Sequence, residues 1–106
     1  MGIDEQTVET IVRRILSVAA PDKIILFGSA ATGEMTRDSD IDLLIVESDI
    51  PDRQAEYVRI RRALSDMCFP FDILFITTQW FEESKDVVGG IAYPANKYGK
   101  VIYDAA

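Results

Sequence analysis

Apolar residues near the start of the chain recur at helical spacing. Val8, Ile11, Val12, Ile15, Leu16 and Ala19 form one stripe, which predicts an amphipathic helix over residues 4–19. Asp4 stands at the N-cap position, Ile3 and Val8 are placed to staple the chain around it, and Pro21 ends the helix. The pattern then changes to short continuous apolar runs. Residues 24–27, closed by Gly28-Ser29, predict a buried strand running into a turn. Residues 30–38 are small and polar and suit a loop or one short helical turn. A second strand covers 40–46, acidic at its start and apolar after.

Ser48-Asp49-Ile50-Pro51 turns the chain into a helix over about 52–67, with Tyr57, Ile60, Leu64 and Met67 on one face. Residues 71–76 form a third strand, and Thr77-Thr78 supplies the N-cap of a short helix through Trp80 and Phe81. Gly89-Gly90 breaks the chain. Residues 91–98 read as helical despite Pro94, and 101–103 as an edge strand. The expected fold is therefore α/β of the α+β type, a small mixed sheet with helices packed on it, in a single domain over 1–106. Fold class alone assigns no function.

Composition narrows the setting. The 106 residues include 48% hydrophobic and 27% charged, as expected of one globular domain. The net charge of −7, with no histidine, repels phosphate backbones, so nucleic acid is not an expected partner. An anionic ligand needs bound cations or a local basic patch. The single cysteine, Cys68, can form no disulfide within the chain and lacks a histidine to activate it; it reads as a buried structural thiol. No apolar run reaches membrane-spanning length, and the acidic start resembles no leader. Gly2 is not a myristoylation site, because Gln6 stands where Ser or Thr is required. A cytoplasmic protein without membrane partners is expected.

The informative segment is Gly28-Ser29, ten intervening residues, then Asp40-Ile41-Asp42. Side chains alternate along a strand, so Asp40 and Asp42 project from one side and Ile41, Leu43 and Ile45 from the other, toward the core. Carboxylates so close repel unless a cation sits between them, and Mg²⁺ takes such oxygen ligands together with substrate phosphates. Asp72 interrupts an otherwise apolar strand on the side of Leu74 and Ile76. An acid there costs stability unless it is paired, metal-bound or at the solvent edge. Gly28 lets backbone N–H groups approach an anion and Ser29 adds a hydroxyl, which suits phosphate. Phosphates on the Gly-Ser turn and two metals on three aspartates would place in-line attack on phosphorus between them.

These residues, with Ile-Leu-Phe before Gly28-Ser29 and Leu-Leu-Ile-Val after Asp42, resemble the signature of the DNA polymerase beta-like nucleotidyltransferase superfamily. The likeness runs from about Lys23 to Ile76, and the tail Gly99-Lys100-Val101-Ile102-Tyr103 fits too. In length the chain is similar to the minimal nucleotidyltransferases of MNT or MntA type, often antitoxin partners of HEPN-domain toxins. The resemblance implies that Asp40 and Asp42 bridge both metals, two Mg²⁺ or Mn²⁺ ions. Asp72 would complete the site that activates the acceptor hydroxyl, and Gly28 and Ser29 would hold the β/γ-phosphates of ATP or another NTP. It further implies that AMP passes to a tyrosine of a HEPN-type toxin, in a hetero-oligomer with it or in a homo-oligomer. One departure stands out. Where many relatives carry arginines after Gly-Ser, this chain has Ala30 and Thr32, with Arg37 as the nearby substitute.

Other readings compete. Asp38 to Asp42 is not an EF-hand loop, since Leu43 occupies the position that needs glycine. A solvated acidic turn explains the triplet alone, but not the Gly-Ser spacing or Asp72. Arg53, Arg59, Arg61 and Arg62 read as a solvated helix face, or as a docking stripe for acidic groups. Trp80, Phe81 and Tyr57 read as core; Tyr93, Tyr98 and Tyr103 suit tail packing or a partner surface. The rival functions are an inactive antitoxin that neutralises its partner by contact, and a small-molecule adenylyltransferase of the aminoglycoside-modifying kind.

Overall fold

The computed structural model of the chain describes residues 3–33 and 39–105. Helix α1 (Glu5–Leu16) is started by the Asp4 side chain, which accepts from the Thr7 N–H. Strand β1 (Lys23–Phe27) runs into Gly28 and the single turn α2 (Ser29–Thr32). Strand β2 (Ile41–Glu47) is followed by α3 (Arg53–Ala63), β3 (Phe71–Thr77), α4 (Thr78–Ser84), α5 (Ala92–Tyr98) and β4 (Lys100–Asp104). The strands lie in the order β3-β2-β1-β4. β1 pairs antiparallel with both β2 and β4, while β2 and β3 run parallel, joined over one face by α3.

The sheet is covered on both sides, which is why β2 is an almost unbroken apolar run. On one face Ile11 and Ile15 of α1, with Ile60 and Leu64 of α3, pack over Ile24, Leu26, Leu43 and Ile45. On the other, Phe81 of α4 with Ala92 and Ala95 of α5 packs over Ile25, Leu44, Val46 and Ile76. The side of β2 that carries Asp42 is thus partly core: its far half is buried under α4 and α5. That far end is pinned by Asp22, whose carboxylate accepts from Ser48 Oγ at 2.6 Å and from Thr78 Oγ1.

Several expectations change. α1 ends at Leu16, which is itself exposed, and non-helical turns carry the chain from there to Pro21. Pro51 lies in the turn before α3 as expected, but Asp52 is the cap, accepting from the Ala55 N–H, and the helix proper starts at Arg53. α3 stops at Ala63; its buried residues are Glu56 and Ile60, with Leu64 buried at the C-cap, and Tyr57 is left outside. Trp80 is 61% exposed and only Phe81 enters the core, because a seven-residue helix lying on a sheet buries one side. Cys68 is exposed in the turn after α3, so it is not a core thiol. Lys97 of α5 lies over the rings of Tyr93 and Tyr98 and donates to Tyr93 Oη at 3.1 Å. No helix among the described residues is long and apolar enough to cross a membrane.

Glu47 and Glu56 are the buried charged residues among those described, and Glu47 is the one left with an unpartnered oxygen. Glu47 is 5% exposed, and its Oε1 has no hydrogen-bond partner among the described residues. Burial raises its carboxyl pKa above the ordinary 4.5; Arg59 opposes the rise and Asp22 adds to it. A raised carboxyl pKa in the folded state means lost stability once pH exceeds the unfolded value. Replacing Glu47 by Met should therefore stabilise the protein at neutral pH by about 1–2 kcal/mol. The gain should shrink as pH falls toward 4.5, where the wild-type carboxyl takes up its proton. Urea unfolding at both pH values checks this; a Met variant less stable at neutral pH would refute it.

Candidate functional site

β1 and β2 bring the sequence-predicted residues to one end of the sheet. Phe27 lies opposite Asp42, so the chain leaves the sheet at Gly28 right beside that carboxylate. Gly28 has φ 70° and ψ −151°, a conformation that only glycine adopts without strain. It is also where Asp42 needs room. A Cβ at position 28 would overlap Asp42 Oδ2 and stand 3.2 Å from its Cγ. The glycine thus serves two ends, the bend of the turn and the seat of the acid.

Ser29 opens α2, whose short turn is closed by the Gly28 carbonyl accepting from the Ala31 and Thr32 N–H groups at 3.1 and 3.2 Å. The first N–H groups of a helix have no partner within it, so with those of Ala31 and Thr32 used in the turn, the ones left to face an anion are those of Ser29 and Ala30. α2 reads Ser-Ala-Ala-Thr and holds no basic residue. Arg37, which could take that part, and Asp38 of the acidic triplet lie outside the described residues.

β3 supplies the third acid. In the parallel pairing Asp42 stands level with Asp72, and both share the face of Leu44, Leu74 and Ile76. Asp72 is exposed, because β3 is an edge strand; the solvent edge accounts for its place in an apolar run. Asp40 is exposed as well and immediately precedes β2 rather than starting it. Asp42 is half-buried, and its carboxyl pKa is raised, first by burial, then by the charge of Asp72, then by that of Asp40. The three acids therefore feel one another through Asp42. Among the described residues no three acidic, histidine or cysteine side chains stand close enough to hold a metal ion by themselves.

This arrangement has a definite chemical character. A partly desolvated carboxylate repelled by two others is stabilised by a cation, and the adjacent turn offers N–H groups to an anion. A metal–phosphate ligand meets both demands. Elsewhere, a cleft of about 630 Å³ between the end of α1 and α3 is lined by Val18, Asp52, Val58, Arg59 and Arg62. It holds none of the three aspartates.

Comparison with known proteins agrees with this reading of the fold. The fold is similar to that of a chain in a toxin–antitoxin crystal structure with AMP-PNP, at 20% identity and a TM-score of 0.71 over 92% of this chain and 73% of that one. It is also similar to a chain in a crystal structure of a mutant toxin–antitoxin MntA-HpeT, at 18% identity and a TM-score of 0.62 over 97% and 75%. No curated protein matches the sequence. The family model described as nucleotidyltransferase domain matches residues 6–93, which takes in all but the first residue of α1, Gly28-Ser29 and all three aspartates. The chain belongs to the nucleotidyltransferase domain family.

Proposed function

We propose that the chain transfers AMP from ATP to a hydroxyl of a partner protein, a tyrosine of a HEPN-type toxin, and acts as the antitoxin of that pair. The observation that carries this reading is the juxtaposition of Asp42, level with Asp72 and seated against Gly28 at the start of a phosphate-suited turn. Two structural neighbours come from toxin–antitoxin structures, one with AMP-PNP and one carrying Asp-to-Glu exchanges two positions apart, the spacing of Asp40 and Asp42.

Asp40, Asp42 and Asp72 would hold two divalent ions, Mg²⁺ as the expected species, since hard cations take carboxylate oxygen and phosphate together. Such ions supply charge neutralisation at the phosphates and lower the pKa of the attacking hydroxyl. The chain's own residues do the rest. Gly28 and Ser29 orient the β- and γ-phosphates, and Asp42 with Asp40 would hold the cations that accompany those phosphates. Asp72, on the open edge, faces the incoming acceptor. The acceptor oxygen forms a bond to the α-phosphorus as the bond to the bridging oxygen breaks. Pyrophosphate leaves, and the hydroxyl proton passes to water by way of Asp72.

A second reading has one observation in its favour. α2 offers no cation to the departing pyrophosphate, which suits an antitoxin that works by contact alone. Incubation with Mg²⁺, labelled ATP and the product of the neighbouring reading frame separates the two. The wild type should label that protein, and the Asp40→Ala/Asp42→Ala variant should not. No labelling by the wild type, together with tight binding that the variant retains, would establish the contact reading instead.

A further inference from the structure

The arginines of α3 do something that the transfer reaction does not require. Among the described residues β3 is flanked by β2 alone, so its other side is a sheet edge. The Ile41 N–H donates to the Pro70 carbonyl at 2.8 Å, which fixes the alternation that follows. Carbonyls of even-numbered residues along β3 turn toward β2, and those of Phe71, Ile73 and Phe75 turn outward. Two of these three outward carbonyls carry a guanidinium. Arg61 Nη1 donates to Phe71 O at 3.0 Å, and Arg53 Nη1 donates to Phe75 O at 2.7 Å.

The spacing explains how one helix reaches both. Arg53 and Arg61 are eight residues apart, roughly 12 Å of helix rise. Phe71 and Phe75 are four apart, roughly 13 Å of strand. α3 runs antiparallel to β3 in the crossover, so the two arginines fall over the two carbonyls in reverse order. The other arginines are used differently: Arg59 pairs with Glu56, and Arg62 lines the cleft by Val18.

The strand beneath has reason to be guarded. It reads Phe-Asp-Ile-Leu-Phe-Ile-Thr, with one charge and neither Pro nor Gly. Seven-residue windows of that kind pair readily with copies of themselves when they lie on an edge. Leu74 adds exposed apolar surface. We propose that Arg53 and Arg61 are guards of this edge. By occupying the Phe71 and Phe75 carbonyls with charge-assisted hydrogen bonds, they keep β3 from adding a strand of a second copy of this chain.

Sedimentation velocity of the full chain at rising concentration tests the proposal. The Arg53→Ala/Arg61→Ala variant should self-associate about tenfold or more tightly than the wild type. Its net charge moves from −7 to −9 with two cations removed, which by itself drives copies apart. Added association therefore cannot come from charge. Arg62→Ala should behave as wild type, and adding Leu74→Lys to the double variant should restore wild-type behaviour by placing a charge on the edge. A folded double variant that associates no more than the wild type overturns the proposal, as does equal association by Arg62→Ala. If circular dichroism shows the double variant unfolded, Arg53→Lys/Arg61→Lys keeps charge and stem packing while losing the planar fork. That variant should also associate more tightly than the wild type, and its failure to do so would count equally against the guard.

Discussion

Replacing Gly28 by Ala should nearly abolish nucleotide transfer and weaken the fold at the same time. The backbone at φ 70°, ψ −151° costs any L side chain about 1–3 kcal/mol. Strain is the smaller part of the effect. The new Cβ would occupy the place of Asp42 Oδ2, so the carboxylate must swing away from its position level with Asp72. A misplacement on the order of 1 Å in a site that works by positioning costs ~10²-fold in rate. Gly33→Ala is the control for a glycine with positive φ away from the acids. Its φ of 81° and ψ of 9° lie in the left-handed helical region, which costs an L side chain less than the backbone of Gly28 does, and no described atom lies within 4 Å of the added Cβ. Urea unfolding should show both variants destabilised, while labelled-ATP transfer should fail in Gly28→Ala alone. Wild-type transfer by Gly28→Ala would remove the glycine from the site.

That contrast also marks what the chain discloses in one dimension. The Gly-Ser turn and Asp40-x-Asp42 are local, and the period-two alternation of a strand places Asp42 on a face without any tertiary knowledge. Asp72 is conspicuous because it is the lone acid in an apolar run. The level pairing of Asp42 with Asp72 is not local: thirty residues and a helix separate them, and only the parallel register of β2 and β3 aligns them. Nor does periodicity reveal that β3 is an edge.

The arginines of α3 were ambiguous for the same reason. A guanidinium donating to a backbone carbonyl leaves no signature in the sequence, because every residue has a carbonyl. Departures from the usual burial of a residue type have a common cause too. Trp80, Tyr57 and Cys68 are residues usually found inside, but α4 is short, α3 turns its Glu56 inward, and the 64–70 turn runs over the surface. In each case the geometry of the element overrode the habit of the residue type.

Asp42→Asn should make the protein more stable and less able to react. The wild-type carboxylate is half-buried and repelled by Asp72 and Asp40, so its pKa is raised above the ordinary 3.8. The folded state therefore binds a proton more tightly than the unfolded state does. Stability falls as pH rises through that window, and the whole penalty is present at neutral pH. The neutral amide removes it. In EDTA at pH 7 the variant should be the more stable, by no more than about 1 kcal/mol because solvent screens part of the repulsion. Below 3.8 both side chains are neutral and the difference should close.

Magnesium should reverse the order. A cation bound only by the folded state stabilises it by mass action, and the wild type with its full carboxylate set should gain more than the variant. Transfer should fall by ~10²–10⁴-fold in the variant, equivalent to roughly 3–5 kcal/mol of lost transition-state stabilisation. Thermal unfolding with EDTA and with Mg²⁺ reads both stability effects, and labelled-ATP transfer reads the loss of rate. A variant less stable than wild type in EDTA would refute the repulsion argument. Equal gains from Mg²⁺ would show that Asp42 does not hold the ion. If both effects appear, the repulsion among these aspartates that destabilises the metal-free protein is the same feature that recruits the cation.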